Sequence, residues 1–74
     1  MRARRWLEQA LRLEGFECEG RVIPAPEASA RMVEIYYEVR RAARRFRNPD
    51  SSPEEKAKAV EFVVAWCGVN LTDF

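Results

Sequence analysis

Apolar residues recur along this chain at spacings of three and four, and two clusters of turn-forming residues interrupt them. Between about Ala3 and Glu14, the residues Ala3, Trp6, Leu7, Ala10, Leu11 and Leu13 share one side of a helical wheel. Arg5, Glu8, Gln9 and Arg12 take the other side. Such a stripe lets a helix cover a core on one face and meet water on the other. Gly15 stands where a helix stops in a left-handed residue, and Phe16 is placed to reach back to Leu11.

The second helical pattern runs from about Pro26 to Arg47. Ala28, Met32, Ile35, Val39, Ala42 and Phe46 form a heptad-like seam, widened by Tyr36 and Ala43. Pro26 suits a first turn, because its missing N–H has no helical partner to lose there. Glu27 near the start and Arg44, Arg45 and Arg47 near the end complement the helix dipole. The third pattern runs from Pro53 to Cys67. Ser52, Pro53, Glu54 and Glu55 make a capping box, in which the serine hydroxyl takes an orphan N–H and Glu55 can reach back. Ala57, Val60, Val63, Val64 and Cys67 are expected to line its apolar stripe, with Gly68 as the stop and Val69 against Val64.

Phe16 to Ile23 alternates apolar and charged residues around Gly20. An isolated two-stranded hairpin is marginal in water, so this stretch reads as an irregular connection, about residues 15–25, capping one end of the core. Leu71 and Phe74 in the tail are expected to dock back. The predicted architecture is a single all-α domain: a small three-helix bundle with helices at about 3–14, 26–47 and 53–67.

Composition narrows the chemistry. The chain has 74 residues, no histidine and two cysteines, so histidine-based nucleophile systems are excluded and a zinc site is not expected. No metal or cofactor site is predicted. Glu34 and Glu38 are spaced for the solvent side of a helix, not for acid–base work. Cys67, expected to be buried at a helix C-terminus, sits where the dipole opposes a thiolate. Cys18 and Cys67 could close one bridge, but the simpler reading makes both small buried hydrophobes in a reducing cytoplasm. No apolar run is long enough to span a membrane. The expectation is a cytoplasmic protein that acts by binding, not by catalysis.

The leftover surface suggests two kinds of partner. Val33, Tyr37, Arg40, Arg44 and Arg47 run down one flank of the second helix, outside its seam. Phe62 and Trp66 lie four apart beside the third stripe, either packed on the first helix near Trp6 or Leu13 or partly exposed. Exposed apolar patches mark interaction sites, and tyrosine and tryptophan are enriched at their centres. The chain therefore reads as a helical interaction module, self-associating as a dimer through helix 2, helix 3 or both, or binding another protein. Val33, Tyr37, Phe62 and Trp66 are its expected contacts, with Arg40 and Arg44 as a polar rim.

The alternative is nucleic acid. The net charge is only +1, yet residues 39–48 contain five arginines and no acid. If consecutive helices pack antiparallel, Arg2, Arg4 and Arg5 join Arg40, Arg41, Arg44, Arg45 and Arg47 in one phosphate-binding cluster. Base reading by the third helix is not expected, because Glu54 and Glu55 at its start would repel phosphate.

Overall fold

The computed structural model of the protein describes residues 2–17 and 29–73, with side chains in the first helix from Trp6 onward. It is an all-α three-helix bundle: α1 spans Arg2–Leu13, α2 spans Ala30–Arg47 and α3 spans Pro53–Cys67. A 3₁₀ turn at Leu71–Asp73 follows.

Local chemistry sets the helix ends. At the end of α1 the Gly15 N–H donates to the Arg12 carbonyl and the Phe16 N–H to the Leu11 carbonyl, with Gly15 at φ 90°. This paired pattern satisfies two carbonyls the helix would otherwise leave open, and it turns Phe16 inward beside the buried Leu11. At α3 the Ser52 hydroxyl accepts from the Glu55 N–H at 3.2 Å, and Gly68 closes the helix at φ 67° with its N–H on the Val64 carbonyl. Both stops and the α3 cap fall where the sequence places them.

The start of α2 does not. Ser29 is its N-cap, in extended backbone, with its side chain accepting from the Met32 N–H, so the helix begins at Ala30 and not at Pro26. A serine hydroxyl that satisfies a first-turn donor outweighs the tolerance of proline for such a turn. Pro26, Glu27, Ala28, Cys18, the Cys18–Ile23 stretch and Phe74 lie outside the described residues.

Packing direction also departs from expectation. Trp6 stacks on Tyr36 with ring centroids 5.1 Å apart, while Phe16, just past α1, meets Phe46 at 6.4 Å. The start of α1 therefore lies beside the first half of α2 and its end beside the last turn of α2. The two helices run parallel, not antiparallel. A twelve-residue helix is only about 18 Å long, and the intervening chain, with a reach of about 3.3 Å per residue, is long enough to return. The tight loop at residues 48–52 then reverses the chain into α3. There the Asn48 side chain accepts from the Asp50 N–H at 2.9 Å, and the Ser51 N–H donates to the Asn48 carbonyl.

The core gathers Trp6, Leu7, Ala10 and Leu11 from α1, Phe16, then Ile35, Val39, Ala42 and Ala43 from α2, and Ala59, Val63 and Cys67 from α3. Leu71 docks on it as expected, from a turn held by the Asn70 side chain on the Thr72 N–H and hydroxyl. On α3 the buried line is Ala59, Val63 and Cys67, with Val60 beside it. Ala57 and Val64 are exposed, which corrects the predicted stripe. The rotation follows from two neighbours: α3 must present one line to both α1 and α2, and the small Ala59 lets α2 approach closely.

Candidate functional site

The arginines of α2 are positioned by its outer flank, and most of that flank is occupied within the protein. Glu14 stands at the end of α1, and its Oε1 accepts from Arg40 Nε at 3.0 Å and from Arg44 at 2.8 Å. The Glu14 side chain is 12% exposed and that of Arg40 27%, so this is a part-buried cluster and not a solvated surface pair. One helical turn further, Arg47 donates to the Gly15 carbonyl at 3.1 Å, and its guanidinium lies 3.9 Å from the Phe16 ring centroid. Three arginines on one flank thus hold the turn that ends α1, by charge, hydrogen bond and cation–π contact.

The Arg44 hydrogen bond lowers the Glu14 carboxyl below its ordinary value near 4.5, against the opposing effect of burial and with Arg40 assisting. Arg44 is correspondingly raised by Glu14. A folded-state value below the unfolded one contributes stability at neutral pH that is lost as pH falls through the lowered value. Thermal melts between pH 7 and pH 2 should therefore show the parent chain losing stability from about pH 4.5 downward. Glu14→Gln should be less stable at pH 7 and converge with the parent at the acid end. Equal acid sensitivity in the two chains would contradict the cluster.

Gly15 belongs to the same device. A Cβ added there would lie 2.7 Å from Arg47 Nη1, at a φ of 90° that side chains other than glycine rarely adopt. Gly15→Ala is expected to cost about 1–2 kcal/mol from backbone strain alone, with Arg47 displaced as well. Urea denaturation reads this directly; an unchanged midpoint would mean that the turn tolerates a side chain.

The predicted contact residues divide between two faces. Val33 and Tyr37 are exposed, Tyr37 at 51%, on the α2 flank that also carries Arg40 and Arg44. Tyr36, half-buried on Trp6, meets Tyr37 edge-on at 5.6 Å, so the Trp6–Tyr36 stack continues to the surface through Tyr37. Leu13 is 63% exposed although the sequence assigns it to the core stripe. It lies two turns beyond Trp6 on the same side of α1, past the reach of Tyr36, and Phe16 fills the core at that end instead. Leu13 thus leaves an apolar side chain on the surface at the end of α1, a feature that the wheel alone conceals.

Phe62 and Trp66 lie on the opposite flank of α2. Phe62 packs against the core and lines a groove of about 320 Å³ with Ala42, Ala59, Glu38, Arg41, Arg45 and Lys58. Trp66, one turn along α3, is exposed at 38%. Phe62, on this groove, does not join Val33 and Tyr37 in one patch.

The expected arginine cluster is likewise divided. Arg2, Arg4 and Arg5 lie in the first turn of α1, at the end beside the first half of α2, because the two helices run parallel. Arg44, Arg45 and Arg47 lie at the other end of α2. Arg41 pairs with Glu38 at 3.7 Å on the surface. Cys67 is fully buried, as expected. Among the described residues, no group of acidic or thiol side chains could hold a metal ion, and no helix is long and apolar enough to cross a membrane.

No match was found among models of protein families, curated proteins or solved structures. The geometry of the chain itself is what any functional reading must use.

Proposed function

We propose that this protein is a helical interaction module that binds a second copy of itself, with the outer faces of two α2 helices packed antiparallel around a twofold axis near Tyr37. The observation that carries this reading is the composition of that face. Val33 and Tyr37 are exposed at mid-helix, and around them the charge of the helix is polarised: Glu34 and Glu38 lie in the first half with Arg31, and the second half carries five arginines and no acid. A helix polarised in this way is complementary to itself reversed. With the axis near Tyr37, the Glu34 end of one helix faces the Arg41 end of the other, and the two tyrosines meet at the centre. Twofold pairing uses one patch on both subunits, as a self-complementary surface requires. The Trp6–Tyr36 stack backs the apolar centre of the contact, since Tyr36 meets Tyr37 edge-on.

The function is binding and not chemistry. The chain has no histidine, and its one described thiol is buried. Binding of a nucleic-acid backbone is the weaker reading, because Arg40, Arg44 and Arg47 already engage Glu14, Gly15 and Phe16.

Sedimentation equilibrium from about 1 µM to about 1 mM, the span of affinities reached by small interfaces, tests the proposal. The expected result is a monomer–dimer equilibrium that added salt weakens, since part of the attraction is between exposed charges. A strict monomer across that range overturns it.

A further inference from the structure

The groove between α2 and α3 lies on the flank of α2 away from Val33 and Tyr37, with Glu38 and Arg41 at the edge it shares with the proposed dimer face, and its chemistry is different. Its closest walls are Ala42 and Ala59, whose small side chains leave room of about 320 Å³. That is at the small end of the range for ligand pockets, about 300–1,000 Å³. Three cations reach it: Arg41 and Arg45 from α2 and Lys58 from α3. Among the described residues the only acid lining it is Glu38, which lies 3.7 Å from Arg41. Among the described residues, no carboxylate lies within ion-pair distance of Arg45 or Lys58. The contrast with the other flank is informative, because there each of Arg40, Arg44 and Arg47 has an internal partner.

We infer that this groove binds a nucleoside monophosphate, with the phosphate held by Arg45 and Lys58 and the base against Phe62. Like charges converging on one cleft raise the local concentration of anions, and a cleft focuses that field more than an open surface does. Guanidinium and ammonium groups both suit phosphate oxygens, the first as a fork and the second as a point charge. Phe62 supplies an aromatic lining on which a planar base can stack, a contact that tolerates any base. Glu38 offers a carboxylate at the groove, which can accept from the hydroxyls of a sugar. The set of phosphate-binding cations, aromatic wall and single carboxylate fits the three parts of a nucleotide better than it fits a bare anion.

The test is a titration of the full chain at low salt, followed by amide chemical shifts, with four probes: adenosine monophosphate, inorganic phosphate, adenosine and a short single-stranded oligonucleotide. Adenosine monophosphate is expected to shift residues 38–45 and 58–62 in a saturable way, and each half-ligand should bind at least about tenfold more weakly. Arg45→Ala and Lys58→Ala, both at exposed positions, should each weaken adenosine monophosphate by about tenfold. Phe62→Leu, which keeps an apolar contact with the core, should weaken adenosine monophosphate while leaving phosphate unchanged. Phosphate binding as tightly as the nucleotide would reduce the groove to a nonspecific anion site and overturn the inference. So would the absence of saturable shifts, or indifference to Arg45→Ala. A single-stranded oligonucleotide binding far more tightly than the mononucleotide would also overturn it, in favour of a strand ligand. The Tyr37→Glu chain should bind the nucleotide as the parent does, which separates failure of this site from failure of the dimer.

Discussion

Tyr37→Glu is expected to leave the protein monomeric at concentrations where the parent chain dimerises. Tyr37 is half exposed and lies at the middle of the outer α2 face, so within one chain the change removes only its edge-on contact with Tyr36. In an antiparallel twofold pair it sits on the axis and meets its own copy. The substitution therefore removes two aromatic contacts and places two carboxylates together. Central tyrosines of this kind are commonly worth about 2 kcal/mol or more, which corresponds to a dissociation constant raised at least about 30-fold. The charge pattern gives a second and independent test. Glu34→Arg alone should weaken the dimer, because it sets arginine against the partner's arginine-rich half, and Arg41→Glu alone should do the same. The two changes together should restore association, since they exchange the signs and keep the complementarity. Restoration is specific to a reversed pairing of two α2 helices. A double variant as weak as the sum of its parts would rule out that arrangement even if some dimer forms. Circular dichroism on each variant separates loss of pairing from loss of folding.

Leu11→Ala is expected to lower the stability of the fold by about 2–5 kcal/mol, far more than any surface change on α1. Leu11 is completely buried, and its carbonyl accepts from the Phe16 N–H in the turn that ends α1. Removing a buried leucine side chain costs about 2–5 kcal/mol, because contacts are lost and the cavity collapses only in part. Globular proteins hold about 0.05–0.15 kcal/mol per residue, so a chain of 74 residues has about 4–11 kcal/mol in total. The loss takes a large share of that. It also removes the surface on which Phe16 rests, and with it the seat of Arg47 on the Phe16 ring. Leu13→Ala, only two residues away but mostly exposed, should change stability by less than about 0.5 kcal/mol. Urea melts of the two variants side by side decide the matter. Similar losses at both positions would mean that α1 is rotated relative to the bundle described above.

These contrasts show where the sequence is informative. Caps and stops could be read directly: Ser52 with Glu55, Gly15 with Phe16, and Gly68 each act within five residues, so the chain need not be folded for their chemistry to be recognised. The same holds for the α2 seam of Ile35, Val39 and Ala42. Ser29 was readable in principle, being a capping residue just before the periodic stretch, but Pro26 offered a competing start. Phe62 and Val64 show the limit. Both are apolar and both flank the same stripe, yet one packs on the core and the other faces outward, because helix rotation depends on which neighbours a face meets.

By itself, then, the amino-acid order determined three helices, their ends, most of the core and the uneven distribution of charge, since each follows from short-range periodicity and local hydrogen bonding. Only the tertiary structure decided that α1 and α2 run in the same direction, because that depends on the length and path of the chain between them. The fate of the arginines follows from that direction. Glu14, 26 and 30 residues away in sequence, meets Arg40 and Arg44 only because the two helix ends coincide, and Arg45 and Lys58 converge on one groove only because α3 turns back along α2.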